Sequence, residues 1–158
     1  MKSSLKTGFS FGLTSGIITT LGLMIGLYVG TQSKIAVIGG ILTIAVADAF
    51  SDALGIHISQ ESQDKYSFRE VWETTITAFL SKFVFAITFI VPVLIFELPQ
   101  AILISVIWGL SILSIFSFVV AKQRKENPWK AVAEHLIIGF LVILITYFVG
   151  NWISGVFQ

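Results

Sequence analysis

Five long apolar stretches, separated by short polar breaks, constrain this chain more than any other feature. A helix needs about 20 apolar residues to cross ~30 Å of hydrocarbon, and lipid-exposed backbone must satisfy its hydrogen bonds internally. Each stretch therefore predicts a transmembrane helix. The predicted spans are residues 8–30, 35–59, 71–96, 101–121 and 131–152. Because the breaks between them are too short for another domain, we expect residues 1–158 to form a single five-helix transmembrane domain.

The composition agrees with an all-α integral membrane protein. Hydrophobic residues make up 55% of the chain and charged residues only 12%, whereas soluble domains have about 45–50% and 25%. A net charge of +1 provides no basic face for a nucleic acid. Without cysteine there is no thiolate metal site and no cysteine nucleophile. Motifs of metalloproteases, serine hydrolases and P-loop enzymes are absent, so we expect neither an enzyme nor a bound cofactor.

The basic residues predict the orientation of the chain in the membrane. With the N-terminus in the cytoplasm and the C-terminus outside, eight basic residues are cytoplasmic and only Lys34 lies outside, as the positive-inside rule requires. The eight are Lys2, Lys6, Lys65, Arg69, Lys122, Arg124, Lys125 and Lys130. The first apolar run is too long for a signal peptide and has no cleavage motif. We therefore expect a retained first span and a protein of the cell membrane.

The second span contains two aspartates, Asp48 and Asp52, four residues apart. A carboxylate at this depth costs about 2.5–3.5 kcal/mol, so such residues usually face a partner, a cavity or an ion path. Residues four apart share one face of a helix. The predicted polar stripe on that face comprises Asp48, Ser51, Asp52, Gly55, Ser59 and Ser62.

Lys82 of the third span is the expected partner of Asp48. If the second and third spans form a hairpin that turns near Lys65, Asp48 and Lys82 are each seventeen residues from the turn and lie at the same depth. Such a pair could be purely structural. The same arithmetic leaves Asp52 without a basic partner at its own level, which makes Asp52 the stronger functional candidate.

Carboxylates supply the candidate metal ligands. Asp48 and Asp52 are hard oxygen ligands that suit Mn²⁺, Fe²⁺ or Mg²⁺, and they could equally carry protons. Glu61, Glu70 and Glu73 lie around the predicted cytoplasmic turn, where they could attract cations to the mouth of the stripe. An ordinary solvated loop, balanced by Lys65 and Arg69, is the simpler explanation of these glutamates.

Glycines recur every four residues along the first span. The two ridges are Gly8, Gly12, Gly16 and Gly22, Gly26, Gly30. Small residues at this spacing let helices approach closely, within a subunit or between subunits. We expect at least one ridge to meet a second copy of the chain. A two-fold dimer would also bring four aspartates together.

Three segments resemble the vacuolar iron transporter family. They are Phe9–Gly16 in the first span, Ala47–Gly55 followed by Ser59, Glu61 and Ser62 in the second, and Gly139–Gly150 in the last. The resemblance implies a dimeric five-helix transporter that moves ferrous iron or manganese out of the cytosol against protons. It also implies a path between subunits that is lined by the first two spans.

The chain departs from that family at several positions. Phe11 stands where the family has an aspartate, Ile44 where it has a glutamate, and Asp52 where it has a methionine. The glutamate-rich cytoplasmic domain of the family is reduced to the turn at residues 60–70. Replacing methionine with aspartate favours harder ions.

These observations lead us to predict a membrane transporter for divalent metal cations. Two other functions remain open. One is a non-transporting scaffold or sensor, in which Asp48 and Lys82 form a structural pair, and the other is a pathway for protons or monovalent cations.

Overall fold

The computed structural model describes residues 2–157, which form five long helices. They are α1 (Ser3–Thr31), α2 (Lys34–Glu61), α3 (Phe68–Ile95), α4 (Leu98–Gln123) and α5 (Pro128–Phe157). Each is long and apolar enough to cross a membrane, and the described residues contain no strand. The predicted all-α membrane fold is therefore confirmed. We call the end of the bundle where α1, α3 and α5 begin the N-terminal end.

Side chains cap the first turns of three helices. At the start of α2, Ser33 Oγ accepts a hydrogen bond from the amide of Ala36 at 3.2 Å. Ser67 and Glu70 form a capping box at the start of α3, in which each side chain satisfies a backbone amide of the other residue. At the start of α5, Asn127 Oδ1 accepts a hydrogen bond from the amide of Trp129 at 3.0 Å. Proline then occupies the first position of α5, where its missing N–H costs nothing.

The two glycine ridges of α1 contact two different helices of the same chain. Six residues separate Gly16 from Gly22, so the ridges point about 120° apart. A Cβ atom added at Gly12 would lie 2.8 Å from Ser81 Cβ of α3, and one added at Gly22 would lie 2.8 Å from Val142 Cγ1 of α5. Both ridges therefore contact other helices of the same chain, and a contact between either ridge and a second copy stays a prediction.

Pro92 interrupts α3 near its C-terminal end. The α-helical pieces are Phe68–Thr88 and Ile90–Ile95, and Phe89 lies between them. Its amide donates to Ala86 O, three residues back, because the proline ring excludes the regular bonding pattern of the following turn. The break is the one expected of a proline inside a helix, which removes a backbone hydrogen bond. It also directs the buried ring of Phe89 into the core.

A wide turn interrupts α2 next to the first aspartate. Residues Ile44–Asp48 are π-helical, and the amide of Ala49 donates to Ile44 O, five residues back. The buried apolar residues of α2 recur every four positions: Val37, Ile41, Ala45, Ala49 and Ala53. In a regular α-helix that spacing drifts by about 40° per step. The extra residue of the π turn takes up about 100° of this drift, so one face of α2 stays against the bundle.

Candidate ion-binding site

A polar cluster joins α1, α2 and α3 in the middle of the bundle. Lys82 Nζ lies 2.5 Å from Asp48 Oδ2 and 2.5 Å from Asp52 Oδ2. The ammonium also donates to Ser15 Oγ at 3.0 Å, and the Ser15 hydroxyl donates to Asp52 Oδ2 at 2.5 Å. The ammonium thus donates to Asp52 and Ser15 and is ion-paired with Asp48.

Small residues make room for the lysine. A Cβ atom at Gly16 would come within 3.2 Å of Lys82 Cα and 3.4 Å of Lys82 Cγ, so α1 can approach the root of this side chain only because residue 16 is glycine. Ala49 and Ala53 of α2 are buried on the side of their helix that faces the bundle. The close packing of three helices therefore brings the long lysine side chain to both carboxylates.

The cluster is closed around Lys82 and open at the aspartates. The Lys82 side chain is 0% exposed, whereas those of Asp48 and Asp52 are 36% and 24% exposed. With all three groups ionised, two carboxylates face one ammonium and the net charge is −1. A net negative charge at bilayer depth is costly, and it is balanced most simply by a proton or a metal cation. The exposed carboxylate edge is where such a cation can arrive.

Asp48 also lines a groove between α1, α2 and α5. The groove has a volume of about 700 Å³ and extends from Asp48 to Thr31 and Ile153 at the far end of the bundle. Among the described side chains that line the groove, Asp48 is the only ionisable one. The hydroxyls of Thr19, Thr31 and Thr146 donate to carbonyls of their own helices. The groove wall is therefore apolar apart from this one carboxylate.

The remaining members of the predicted stripe lie on the outer surface of α2. Ser51 and Ser59 are exposed, and nothing lies within 4 Å of a Cβ atom added at Gly55. Within residues 2–157, no three acidic or histidine side chains form a group that could hold a metal ion. The described part of the chain thus brings two aspartates together, with Ser51 and Ser59 exposed on the same helix.

The sequence model of the VIT family matches residues 64–151, more than half of the chain. The chain belongs to the VIT family, the vacuolar iron transporters. No curated protein matches the chain. Membership of the VIT family indicates transport of metal ions across a membrane. The matched region includes Lys82 and ends within α5, whereas Asp48 and Asp52 precede it.

Two positions where the resemblance implies family carboxylates are apolar in this VIT protein. Phe11 is partly exposed on α1. Ile44 begins the π turn of α2 and lines the groove beside Asp48. The acidic side chains at this depth are instead Asp48 and Asp52, and both contact Lys82. The acidic residues of this VIT protein at mid-bundle therefore differ in position from those that the resemblance implies.

Glu73 ties the N-terminus of the chain to α3. Its carboxylate accepts hydrogen bonds from Lys2 Nζ at 2.8 Å, Ser4 Oγ at 2.7 Å and Arg69 Nε at 2.9 Å. These contacts hold the first turn of α1 against α3. They give Glu73 a structural role, and its attraction of cations remains a prediction.

The other two glutamates that are predicted to attract cations, Glu61 and Glu70, lie apart from the aspartates. Glu70 is engaged in the capping box of α3. Glu61 is exposed and lies 3.9 Å from His57 Nε2, while His57 Nδ1 lies 2.9 Å from Thr75 Oγ1. The structure therefore places neither glutamate in contact with the cluster, and their role in cation attraction also remains a prediction.

Sequence reasoning missed two parts of the cluster. Asp52 was expected to lack a basic partner, but Lys82 contacts it because a lysine side chain can reach across a full helical turn. Ser15 was not a candidate, although it directly precedes Gly16 of the first ridge. Its position beside a close-contact glycine is the signal that could have identified it.

Proposed function

We propose that this VIT-family protein moves divalent cations such as Fe²⁺ or Mn²⁺ out of the cytosol in exchange for protons. Asp48 and Asp52 would bind the ion, and Lys82 would hold the empty site together. The observation that carries the proposal is the excess of carboxylate over ammonium in a cluster whose aspartates are open and whose lysine is sealed. Carboxylate oxygens are the ligands that hard divalent cations prefer.

The proposed exchange follows from the charge of the cluster. One proton on a carboxylate would neutralise the resting site, and an arriving divalent cation would displace that proton. Since charge at bilayer depth is costly, each ion that binds favours the departure of another. This reciprocity is the basis for proposing antiport.

We further propose that the path lies between two subunits and is lined by α1 and α2. Two aspartates leave most positions of a six-coordinate cation unfilled. A two-fold axis beside the exposed face of α2 would bring a second pair of aspartates towards the first. It would also cover Ser51, Gly55 and Ser59, which are poorly suited to face lipid.

Transport in proteoliposomes tests the ion site. We expect Asp52→Asn to abolish Mn²⁺ uptake that is driven by a pH gradient, because the variant loses an anionic ligand and the excess charge. Asp64→Asn, the same chemical change in the loop at the N-terminal end, is the matched control and should retain wild-type flux. Wild-type flux in Asp52→Asn protein, with dimer content unchanged, would refute the mechanism.

The closed contacts of Lys82 also favour a second candidate, a non-transporting scaffold. In that case the lysine and two aspartates would simply join α2 to α3. Thermal unfolding of purified protein separates the two functions, because a ligand that binds the folded state raises Tm by mass action. A scaffold predicts no shift with Mn²⁺, whereas an ion site predicts a shift that disappears in Asp52→Asn.

A further inference from the structure

A second groove lies between α1 and α4 at the N-terminal end of the bundle. Its volume is about 850 Å³. The lining divides into a polar rim and an apolar wall. The rim contains Lys6, Ser10, Gln123 and Arg124, and the wall contains Phe9, Phe116, Val119 and Val120. This groove is separate from the aspartate cluster and shares no lining residue with the groove beside Asp48.

The rim carries one cation without a counter-charge and one guanidinium that is only partly engaged. Lys6 forms no ion pair within the described residues 2–157. Arg124 pairs with Glu126 through Nη2 at 2.9 Å, which leaves its other nitrogens available. No carboxylate lines the groove. The rim is therefore complementary to an anion.

The wall is complementary to a hydrocarbon chain. Phe9 packs edge-on against Phe116 with ring centroids 5.9 Å apart, and Val119 is exposed beside them. Lys6 and Phe9 are three residues apart on α1, about 4.5 Å along the helix axis. A charged rim and an apolar wall at that spacing match the boundary between lipid headgroups and acyl chains.

We propose that this groove binds an anionic phospholipid, with the phosphate between Lys6 and Arg124 and one acyl chain along Phe9 and Phe116. Basic pockets between transmembrane helices bind anionic headgroups in this manner. A soluble phosphate would use the rim alone and would leave the apolar wall uncovered. The combined groove therefore fits a lipid better than a free anion.

Thermal unfolding and native mass spectrometry of the purified full chain test the site. We expect phosphatidylglycerol at a hundredfold excess over Kd to raise Tm by about 5–10 °C. Phosphatidylcholine and glycerol 3-phosphate should raise it far less, since one lacks the net charge and the other lacks the acyl chains. Equal shifts with phosphatidylcholine or with glycerol 3-phosphate would overturn the proposal.

Paired variants separate a built site from general surface charge. Lys6→Gln with Arg124→Gln should weaken phosphatidylglycerol binding about thirtyfold, on the basis of the attraction per basic residue near a lipid surface. Lys65→Gln with Lys130→Gln removes the same charge from the same end of the bundle but outside the groove, and should weaken binding less than threefold. Equal losses in the two double variants would refute a specific site.

The apolar wall provides an independent variant that leaves all charges in place. Val119→Trp should fill the groove and reduce phosphatidylglycerol binding about tenfold (1.4 kcal/mol corresponds to a factor of ten). Trp fluorescence and the Tm without lipid show whether the variant is folded. Unchanged binding in folded Val119→Trp protein would contradict the acyl-chain part of the proposal.

Discussion

At the scale of single residues, Lys82 is the most constrained side chain of the molecule. It is fully buried and contacts both aspartates of α2 and a serine of α1. A buried ion pair contributes little net stability compared with apolar packing, but removing one partner leaves an uncompensated charge. Removing Lys82 would therefore destabilise the protein chiefly by leaving the two aspartates without a counter-charge.

Replacing Lys82 tests this constraint. We expect Lys82→Met to lower the free energy of unfolding by about 3 kcal/mol, the lower end of the range for a broken buried pair, because the aspartates are partly open to solvent. Adding Asp48→Asn and Asp52→Asn to Lys82→Met should recover most of the loss. Detergent-solubilised protein unfolded by heat provides the comparison, and a triple variant no more stable than Lys82→Met would contradict the charge argument.

Helix geometry along a single hairpin predicts one contact of the cluster and misses two others. The hairpin arithmetic placed Asp48 and Lys82 at one depth because helix rise is constant. It treated Lys82 as a point on the helix axis, and so it missed that the flexible side chain also reaches Asp52. Ser15 belongs to α1, whose lateral position depends on glycine contacts that spacing within one hairpin cannot supply.

At the scale of helices, α1 organises the bundle because its two glycine ridges contact α3 and α5. The pattern of small residues was readable from the sequence, but the identity of the packing partner was not. The rule for small residues at four-residue spacing applies equally to contacts within and between chains. The five spans, by contrast, followed directly from apolar length, and most of the helices extend a few residues beyond the predicted spans.

Alanine substitutions at two glycines test the ridge contacts. A Cβ atom at Gly12 would lie 2.9 Å from Lys82 N of α3, so Gly12→Ala should cost about 1–3 kcal/mol through overpacking. Gly39 of α2 has nothing within 4 Å of the same position. Gly39→Ala should leave stability unchanged or raise it by up to about 1 kcal/mol. Thermal unfolding of both variants is the measurement, and equal Tm values would show that the ridge is not tightly packed.

At the scale of the whole molecule, α2 and α5 are the least buried of the five helices. Among the described residues of α5, only Gly139 and Gly150 are buried. The exposed surface of α5 is mostly apolar and suits contact with lipid, whereas that of α2 combines apolar side chains such as Phe50 and Leu54 with Ser51 and Ser59. The surface of α5 therefore suits lipid, and the serines of α2 suit contact with another protein surface. This is why the proposed dimer axis lies beside α2.

Cysteine cross-linking tests the position of this axis, and the natural absence of cysteine gives it a clean background. Residues near a two-fold axis meet their own copies, so Ser51→Cys should form disulfide-linked dimers in oxidised membranes. Ile145→Cys, on the exposed face of α5, is the control and should remain monomeric on non-reducing gels. Dimers linked through Ile145→Cys but not through Ser51→Cys would move the interface to α5.

The division of the cluster between helices has a mechanical consequence. The cation belongs to α3 and both anions belong to α2, so a rigid-body displacement that parts these helices also withdraws the tethered counter-charge. Such a helix displacement would change the electric field at the carboxylates without a prior rearrangement of any side chain.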